Sequence, residues 1–231
     1  EEYNDLEFYY KYASSAYAET CNKPNGNILV SAINESSSDT QGFIARDDGR
    51  KEIVLSFRGS TSAWDWLTNF QIVETPFIVA NISGPAGVMV HTGFLTAQAP
   101  LLRITIEDVQ SQLVGHPKYS VVTTGHSLGG ALSTLAGITL KQILPDVKVR
   151  IYTYGQPRVG NAGLAKWVDT SFGHANLFRS VHTTDTVPHL PPTLFLPNYT
   201  HHGIEYWSFK DPSSAANTKK CALTGEDPKC S

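Results

Sequence analysis

Hydrophobic residues in this chain follow two spacings, one typical of buried strands and one typical of helices. Short apolar runs rich in β-branched residues predict strands, and apolar residues that recur every three or four positions between them predict helices. Strands that alternate with helices indicate a mostly parallel central sheet with helices on both faces. The predicted strands are 27–33, 41–46, 51–57, 119–124, 147–154 and 177–181, and the predicted helices are 5–17, 95–113, 128–143 and 162–172.

The first predicted helix has one apolar face, and Asp5 is its predicted N-cap. A helix of this kind is expected to cover one side of the sheet. The residues on the apolar face are Leu6, Tyr9, Tyr10, Ala13, Ala16 and Tyr17.

Residues 119–131, YSVVTTGHSLGGA, are predicted to run from a buried strand through a sharp turn into a helix. Ser127 lies at the tip of the turn, and Gly125 and Gly129 flank it where a Cβ would crowd the crossing backbones. The GxSxG pentad alone is a weak signal, because this glycine and serine content would produce it by chance in roughly one such chain in eight. The surrounding strand, turn and helix make Ser127 the predicted nucleophile. The alternative is a glycine-rich loop with an idle serine.

Strand ends supply the other groups that acyl transfer requires. Asp185 follows the strand 177–181 and comes after the serine in the chain, which fits the hydrolase order of serine, acid and histidine. Ser60 lies in the loop after the strand 51–57, and Leu128 is the residue after the nucleophile. These two are the predicted backbone N–H donors to an oxyanion. The chemistry expected from this set is ester cleavage through an acyl-enzyme.

A short segment after Ser60 repeats large apolar side chains at helical spacing. Its apolar residues are Trp64, Trp66, Leu67 and Phe70. This face predicts either a lid over an apolar pocket or an ordinary core helix.

His91 has two interpretations as well, because it either lines the site or is a loop histidine with its own hydrogen bonds.

The composition argues against several classes of protein. A net charge of −3, with no run of basic residues, is unlike a nucleic-acid-binding chain. No apolar stretch reaches the roughly eighteen residues that a membrane-spanning helix needs, and the first residues carry no signal-peptide pattern. The sequence has no HExxH, no CxxC and no phosphate-binding glycine loop, so no metal and no cofactor are expected. The whole of 1–231 is expected to be a single domain.

Cysteines and glycosylation sequons indicate an extracellular protein. Cys221 and Cys230 lie close together in a polar tail, where a disulfide would stabilise the fold by about 2.5 kcal/mol on the loop-entropy estimate. Cys21 is then left over. Three sequons fall in segments predicted to be loops, which agrees with passage through an oxidising secretory route. Their acceptors are Asn34, Asn81 and Asn198.

Five motifs in the same order resemble the class 3 fungal lipase family, which includes extracellular triacylglycerol lipases and feruloyl esterases. They are FRGS at 57–60, HTGF at 91–94, GHSLGGAL at 125–132, YGQPRVGN at 154–161 and HTTDTVPHLPP at 182–192. The resemblance runs from about residue 12 to residue 230. It implies an α/β-hydrolase fold, with Ser127 as nucleophile, Asp185 as the acid of the triad, and Ser60 and Leu128 as the oxyanion hole.

The two ends of the chain resemble different branches of this family. Residues 61–71 look like the interfacial lid of the lipases, with Trp66 where several lipases carry tryptophan. Residues 203–208 and the cysteines after them look closer to the feruloyl esterases.

One departure from the family concerns the catalytic base. The family's catalytic histidine lies near the C-terminus, in a segment resembling Ala-His followed by Tyr-Phe-Gly, and 1–231 does not contain that segment. His201 and His202 match a family position that does not serve as the base. The family counterpart of Cys21 pairs with a C-terminal cysteine, which is also missing. We therefore expect that a C-terminal segment carrying the base and the partner of Cys21 was cleaved, is held as a separate chain, or lies outside residues 1–231.

Three functional hypotheses follow. The first is a secreted triacylglycerol lipase that acts on long acyl esters at an oil–water interface. The second is a feruloyl esterase or another soluble carboxylesterase. The third is a hydrolase-fold protein that binds a lipid or a partner without catalysis, which requires that the catalytic histidine be truly absent.

Overall fold

The computed structural model describes residues 2–36, 40–60, 73–79, 81–193 and 198–231. Within these ranges the helices are α1 Glu2–Ser15, α2 Thr92–Gly115, α3 Leu128–Ile143 and α4 Ala162–Phe172. The strands are β1 Ile28–Glu35, β2 Thr40–Asp47, β3 Glu52–Phe57, β4 Glu74–Pro76, β5 Ile78–Val79, β6 Ile82–Ser83, β7 Met89–His91, β8 Ser120–His126, β9 Val149–Tyr154, β10 Gly160–Asn161, β11 Leu177–His182, β12 Tyr199–Thr200, β13 Glu205–Ser208 and β14 Thr218–Lys220.

The largest sheet in the described ranges has eight strands in the order β1-β2-β3-β8-β9-β11-β13-β14. Its five central strands, β3, β8, β9, β11 and β13, each pair in parallel with the next. The outer strands β1, β2 and β14 pair antiparallel with their neighbours. This arrangement confirms the predicted mostly parallel sheet of an α/β-hydrolase. Because parallel strands point the same way, the loops after β3, β8, β9 and β11 gather at one edge.

Helices cover both faces of this sheet, and the strand residues alternate between the two cores. Ile53, Leu55 and Val121 belong to the core that includes residues of α2, α3 and α4. Val54 and Val122 belong to the core under α1. Successive side chains of a strand point to opposite faces, so strands covered on both sides are apolar throughout.

The first helix differs from its prediction in its cap and in its buried face. It begins at Glu2, so Asp5 lies in the first turn rather than at the N-cap, and its carboxylate pairs with Arg50 at 2.9 Å. Tyr10 is 49% exposed, and Tyr12 is buried instead. The hydroxyls of Tyr9 and Tyr12 reach the buried carboxylates of Glu52 and Asp47 respectively. These bonds turn the helix so that tyrosines three positions apart face the sheet.

The predicted disulfide between Cys221 and Cys230 is present, and Cys21 is a half-buried free thiol. All three sequon asparagines are exposed. Asn34 lies on the edge strand β1, so its prediction as a loop residue is wrong. Its side chain points away from the face on which the preceding residue, Ile33, is buried. No helix in the described ranges has the length and apolar character to cross a bilayer.

Candidate active site

Ser127 occupies the turn between β8, which ends at His126, and α3, which begins at Leu128. Its backbone has φ 55° and ψ −126°. A non-glycine residue in this region costs on the order of 1–3 kcal/mol and persists only where the surroundings enforce it. Here the Ser127 N–H donates to the carbonyl of Tyr154 at 2.9 Å, which fixes the turn to the end of β9.

The flanking glycines allow backbones to cross at contact distance. A Cβ on Gly129 would collide with the Phe57 carbonyl oxygen and lie 2.9 Å from the Arg58 carbonyl carbon. A Cβ on Gly125 would collide with the Gly129 carbonyl group. The first turn of α3 therefore lies directly on the end of β3, as the crowding inferred from the pentad predicts.

One predicted oxyanion donor, Leu128, follows Ser127 directly, and the other, Ser60, belongs to a loop that touches Ser127. Leu128 provides the first N–H of α3, and the first N–H groups of a helix have no acceptor inside it. Ser60 is two residues beyond Arg58 in the loop after β3. That loop touches the nucleophile, because a Cβ on Gly59 would lie 3.2 Å from the Ser127 Cβ. A helix N-terminus also favours negative charge, so this corner suits a developing oxyanion.

Asp185 lies beside Ser127 across the end of β9. It follows β11, its N–H donates to the His182 carbonyl at 3.0 Å, and its Oδ1 accepts from the Val187 N–H at 3.0 Å. Its Oδ2 faces Gly155, whose φ is 56° and where a Cβ would lie 2.7 Å from that oxygen. Gly155 directly follows Tyr154, which holds Ser127. The nucleophile and the carboxylate are therefore both next to the segment formed by Tyr154 and Gly155.

A cavity of about 700 Å³ opens at Asp185. Its floor includes His126, Tyr154 and Gly155, and its opposite wall is the start of α1. The wall residues from α1 are Tyr3, Leu6, Glu7 and Tyr10. The cavity therefore lies on the α1 face of the sheet, at the carboxyl ends of the parallel strands.

All eight histidines lie in the described ranges, and in those ranges none hydrogen-bonds to the Ser127 hydroxyl or to the Asp185 carboxylate. His116 and His174 precede β8 and β11, so they lie near the opposite edge of the sheet. His182 pairs with Asp211 at 2.8 Å. A base that serves Ser127 would have to reach both the serine and Asp185, and these three histidines do not.

His201 and His202 are buried away from the serine. The Nε2 of His201 lies 2.7 Å from the Pro188 carbonyl, and that of His202 lies 3.3 Å from the Thr134 hydroxyl. Burial lowers the pKa of both, that of His201 well below its ordinary value and that of His202 to about 3. Both imidazoles are therefore neutral at neutral pH, with their Nε2 atoms committed elsewhere.

His91 is a buried capping residue of α2. Its Nδ1 accepts from the Phe94 N–H at 3.3 Å. This contact corresponds to the second of its two interpretations, a histidine with its own local hydrogen bonds. The predicted lid residues Trp64, Trp66, Leu67 and Phe70 lie outside the described residues.

The sequence patterns missed one pair of residues at this site. The hydroxyl of Tyr17 lies 2.8 Å from the Nδ1 of His126, the residue before the nucleophile. The position of His126 beside Ser127 was the available signal, whereas its partner is distant in the chain.

Among the described residues, Glu205, Cys221 and Cys230 are grouped closely enough to hold a metal ion. The two cysteines are joined in a disulfide, so they offer no thiolate.

Comparison with known proteins identifies relatives of the chain. Residues 54–195 match the family Lipase (class 3). A lipase of Rhizopus niveus is 36% identical over 211 residues, which cover 90% of this chain and 50% of that protein. The "Secreted mono- and diacylglycerol lipase 1" of Fusarium solani is 37% identical over 180 residues, which cover 78% of this chain and 51% of that protein. The chain thus spans about half the length of these curated relatives.

Solved structures agree with the sequence comparison. The structure of lipase II from Rhizopus niveus superimposes with a TM-score of 0.88 at 31% identity, covering 100% of this chain and 88% of that one. A similarity of this extent covers the sheet, the serine turn and the loop that carries Asp185.

Proposed function

The chain belongs to the class 3 lipase family, and on this basis we propose that it is a secreted serine carboxylester hydrolase that cleaves acylglycerols at a lipid–water interface. The observation that carries the proposal is Ser127 in a strained turn bonded to Tyr154, with the Asp185 carboxylate beside the next residue, Gly155. Exposed sequons, a disulfide and a relative named as secreted support the extracellular location.

The proposed reaction passes through an acyl-enzyme. A histidine removes the Ser127 proton as Oγ attacks the ester carbonyl, and the N–H groups of Leu128 and Ser60 hold the oxyanion. The protonated histidine then gives its proton to the departing alcohol. Water, activated by the same histidine, releases the acid through a second oxyanion. Asp185 orients the imidazole and stabilises its cation.

The base in this proposal is a histidine outside the eight of 1–231. In the described ranges none of those eight hydrogen-bonds to the Ser127 hydroxyl or to the Asp185 carboxylate. The cavity of about 700 Å³ beside Asp185 has room for a segment that brings an imidazole to the Asp185 carboxylate. The half-buried thiol of Cys21 provides an attachment point for such a segment.

Imidazole rescue tests the assignment of the base. Residues 1–231 on their own should hydrolyse p-nitrophenyl butyrate slowly, and added imidazole should raise the rate by entering the cavity. The Ser127→Ala variant should not respond, which separates rescue from catalysis by imidazole in solution. Full activity of 1–231 without imidazole would show that one of its own histidines is the base.

Substrate choice tests the function itself. The protein in its naturally processed form should hydrolyse emulsified tributyrin much faster than methyl ferulate, with a jump in rate above the solubility limit. A fluorophosphonate probe should label Ser127. Preference for methyl ferulate without such a jump would favour the feruloyl esterase alternative. Failure on every ester, together with failure of labelling, would favour a non-catalytic binding protein.

A further inference from the structure

Tyr17 links the two segments that form the proposed oxyanion hole. It follows α1, and its hydroxyl lies 2.8 Å from the Nδ1 of His126, the residue before the nucleophile. The same hydroxyl lies against Gly59, the residue before Ser60. A Cβ on Gly59 would collide with the Tyr17 oxygen and lie 2.6 Å from the His126 carbonyl oxygen.

The direction of each hydrogen bond follows from the neighbours of Tyr17. Burial raises the pKa of the Tyr17 hydroxyl, and the backbone amide of Gly59 partly opposes this by donating toward the oxygen. A hydroxyl oxygen that accepts from an amide keeps its own hydrogen for another acceptor. The Nδ1 of His126 is such an acceptor when the His126 proton resides on Nε2.

The other ring nitrogen of His126 lies near Asp185. Its Nε2 lies on the Gly155 side, where a Cβ would be 3.5 Å from Nε2 and 2.7 Å from Asp185 Oδ2. Both side chains line the same cavity. Burial lowers the pKa of His126, and the nearby Asp185 carboxylate raises it by a smaller amount. A neutral ring with its proton on Nε2 would direct that N–H toward the Asp185 side.

We propose that Tyr17 is a positioning residue that holds the loop of Ser60 against the serine turn and fixes the tautomer of His126. This inference rests on the proposed ester hydrolysis. The two oxyanion donors belong to separate segments, the loop after β3 and the start of α3. Donors that stabilise a transition state must be in place before the charge develops. The Tyr17 hydroxyl contacts the loop at Gly59 and the residue before the serine turn, His126, so it maintains the separation of the loop and the turn.

Kinetics of Tyr17→Phe test the positioning role. The variant keeps the ring and loses only the hydroxyl, and kcat for p-nitrophenyl butyrate should fall about tenfold with little change in KM. Rates are expressed per active site, counted with a fluorophosphonate. Tyr119→Phe is the matched control, because its hydroxyl also binds a side chain, Asp48, at 2.9 Å but lies before the amino end of β8. Equal kcat in both variants would overturn the proposal.

Nitrogen NMR of His126 tests the same proposal without catalysis. In the wild type, Nδ1 should have the chemical shift of an acceptor and Nε2 that of a protonated nitrogen. In Tyr17→Phe the two tautomers should mix. The reverse assignment in the wild type, or no change in the variant, would overturn the role of Tyr17. If the wild type shows the expected tautomer but hydrolyses no ester, the proposed function fails while the contact itself stands.

Discussion

Arg179 on β11 is the direct strand partner of Glu205 on β13, and its guanidinium donates to the Glu205 Oε2 at 3.1 Å. The two side chains are 1% and 7% exposed. A buried charge whose partner is removed is left uncompensated. Glu205→Gln should therefore lower the free energy of unfolding by about 3 kcal/mol, measured from urea denaturation.

An exposed ion pair provides the control for this prediction. Arg103 and Glu107 are 3.2 Å apart, with side chains 78% and 60% exposed. Glu107→Gln should change the free energy of unfolding by less than about 0.5 kcal/mol, because water screens such pairs. Similar losses in the two variants would mean that burial does not set the strength of the Arg179–Glu205 pair.

Replacement of the proposed nucleophile should separate activity from stability. Ser127 has a φ of 55°, which glycine adopts without strain. Ser127→Gly should abolish ester hydrolysis, a loss on the order of a millionfold, and raise the free energy of unfolding by about 1 kcal/mol. Ser127→Ala should be equally inactive without that gain, because alanine keeps the Cβ. A glycine variant no more stable than the alanine variant would contradict strain at this turn.

Removal of the Asp185 charge should reduce catalysis without changing the fold. Asp185→Asn retains an oxygen for the Val187 N–H but loses the negative charge and offers the wrong hydrogen-bonding group to an imidazole. A loss of about 10⁴-fold in kcat is expected, with an unchanged melting temperature. Asp48→Asn is the control, since Asp48 lies on the turn before β3, at the other end of that strand from Ser60. Equal activity of the two variants would remove Asp185 from the proposed triad.

The buried His202 predicts a dependence of stability on pH. Its pKa falls from 6.5 to about 3 on burial, so below about pH 6.5 the unfolded chain binds a proton that the folded chain does not. The contribution of His202 to the free energy of unfolding is complete above that pH. It is lost as the pH falls toward about 3, at roughly 1.4 kcal/mol per pH unit. His202→Gln should remove this slope from unfolding free energies measured between pH 4 and pH 6. An unchanged slope in the variant would contradict the assignment of this pH dependence to His202.

Sequence patterns predicted those parts of the fold that depend on local residues. The serine turn follows from a β-branched run and two glycines within residues 119–131, together with a helical repeat that continues to residue 143. The N-cap of α4 is also a local feature, because the side chain of Asn161 accepts from the Leu164 N–H three positions later, at 3.0 Å. By contrast, Tyr10 was assigned to the buried face of α1, because periodicity cannot show that Glu52 and Asp47 lie beneath Tyr9 and Tyr12.

Contacts between distant segments could not be predicted in this way. The pair of Tyr17 and His126 joins residues 109 positions apart. No local spacing encodes such a contact. The cavity beside Asp185 is likewise formed by α1 and by loops from the second half of the chain. Motifs could thus name the reacting groups, whereas the groups that hold them in place depend on tertiary packing.

Asn34 on the edge strand β1 has a consequence for how the protein behaves in solution. An edge strand offers unpaired N–H and C=O groups to a strand of another molecule, and many proteins block such edges with charge or proline. A sugar chain on Asn34 would act as a steric shield there. Material made without glycans would expose this edge, and its tendency to aggregate should then rise with concentration.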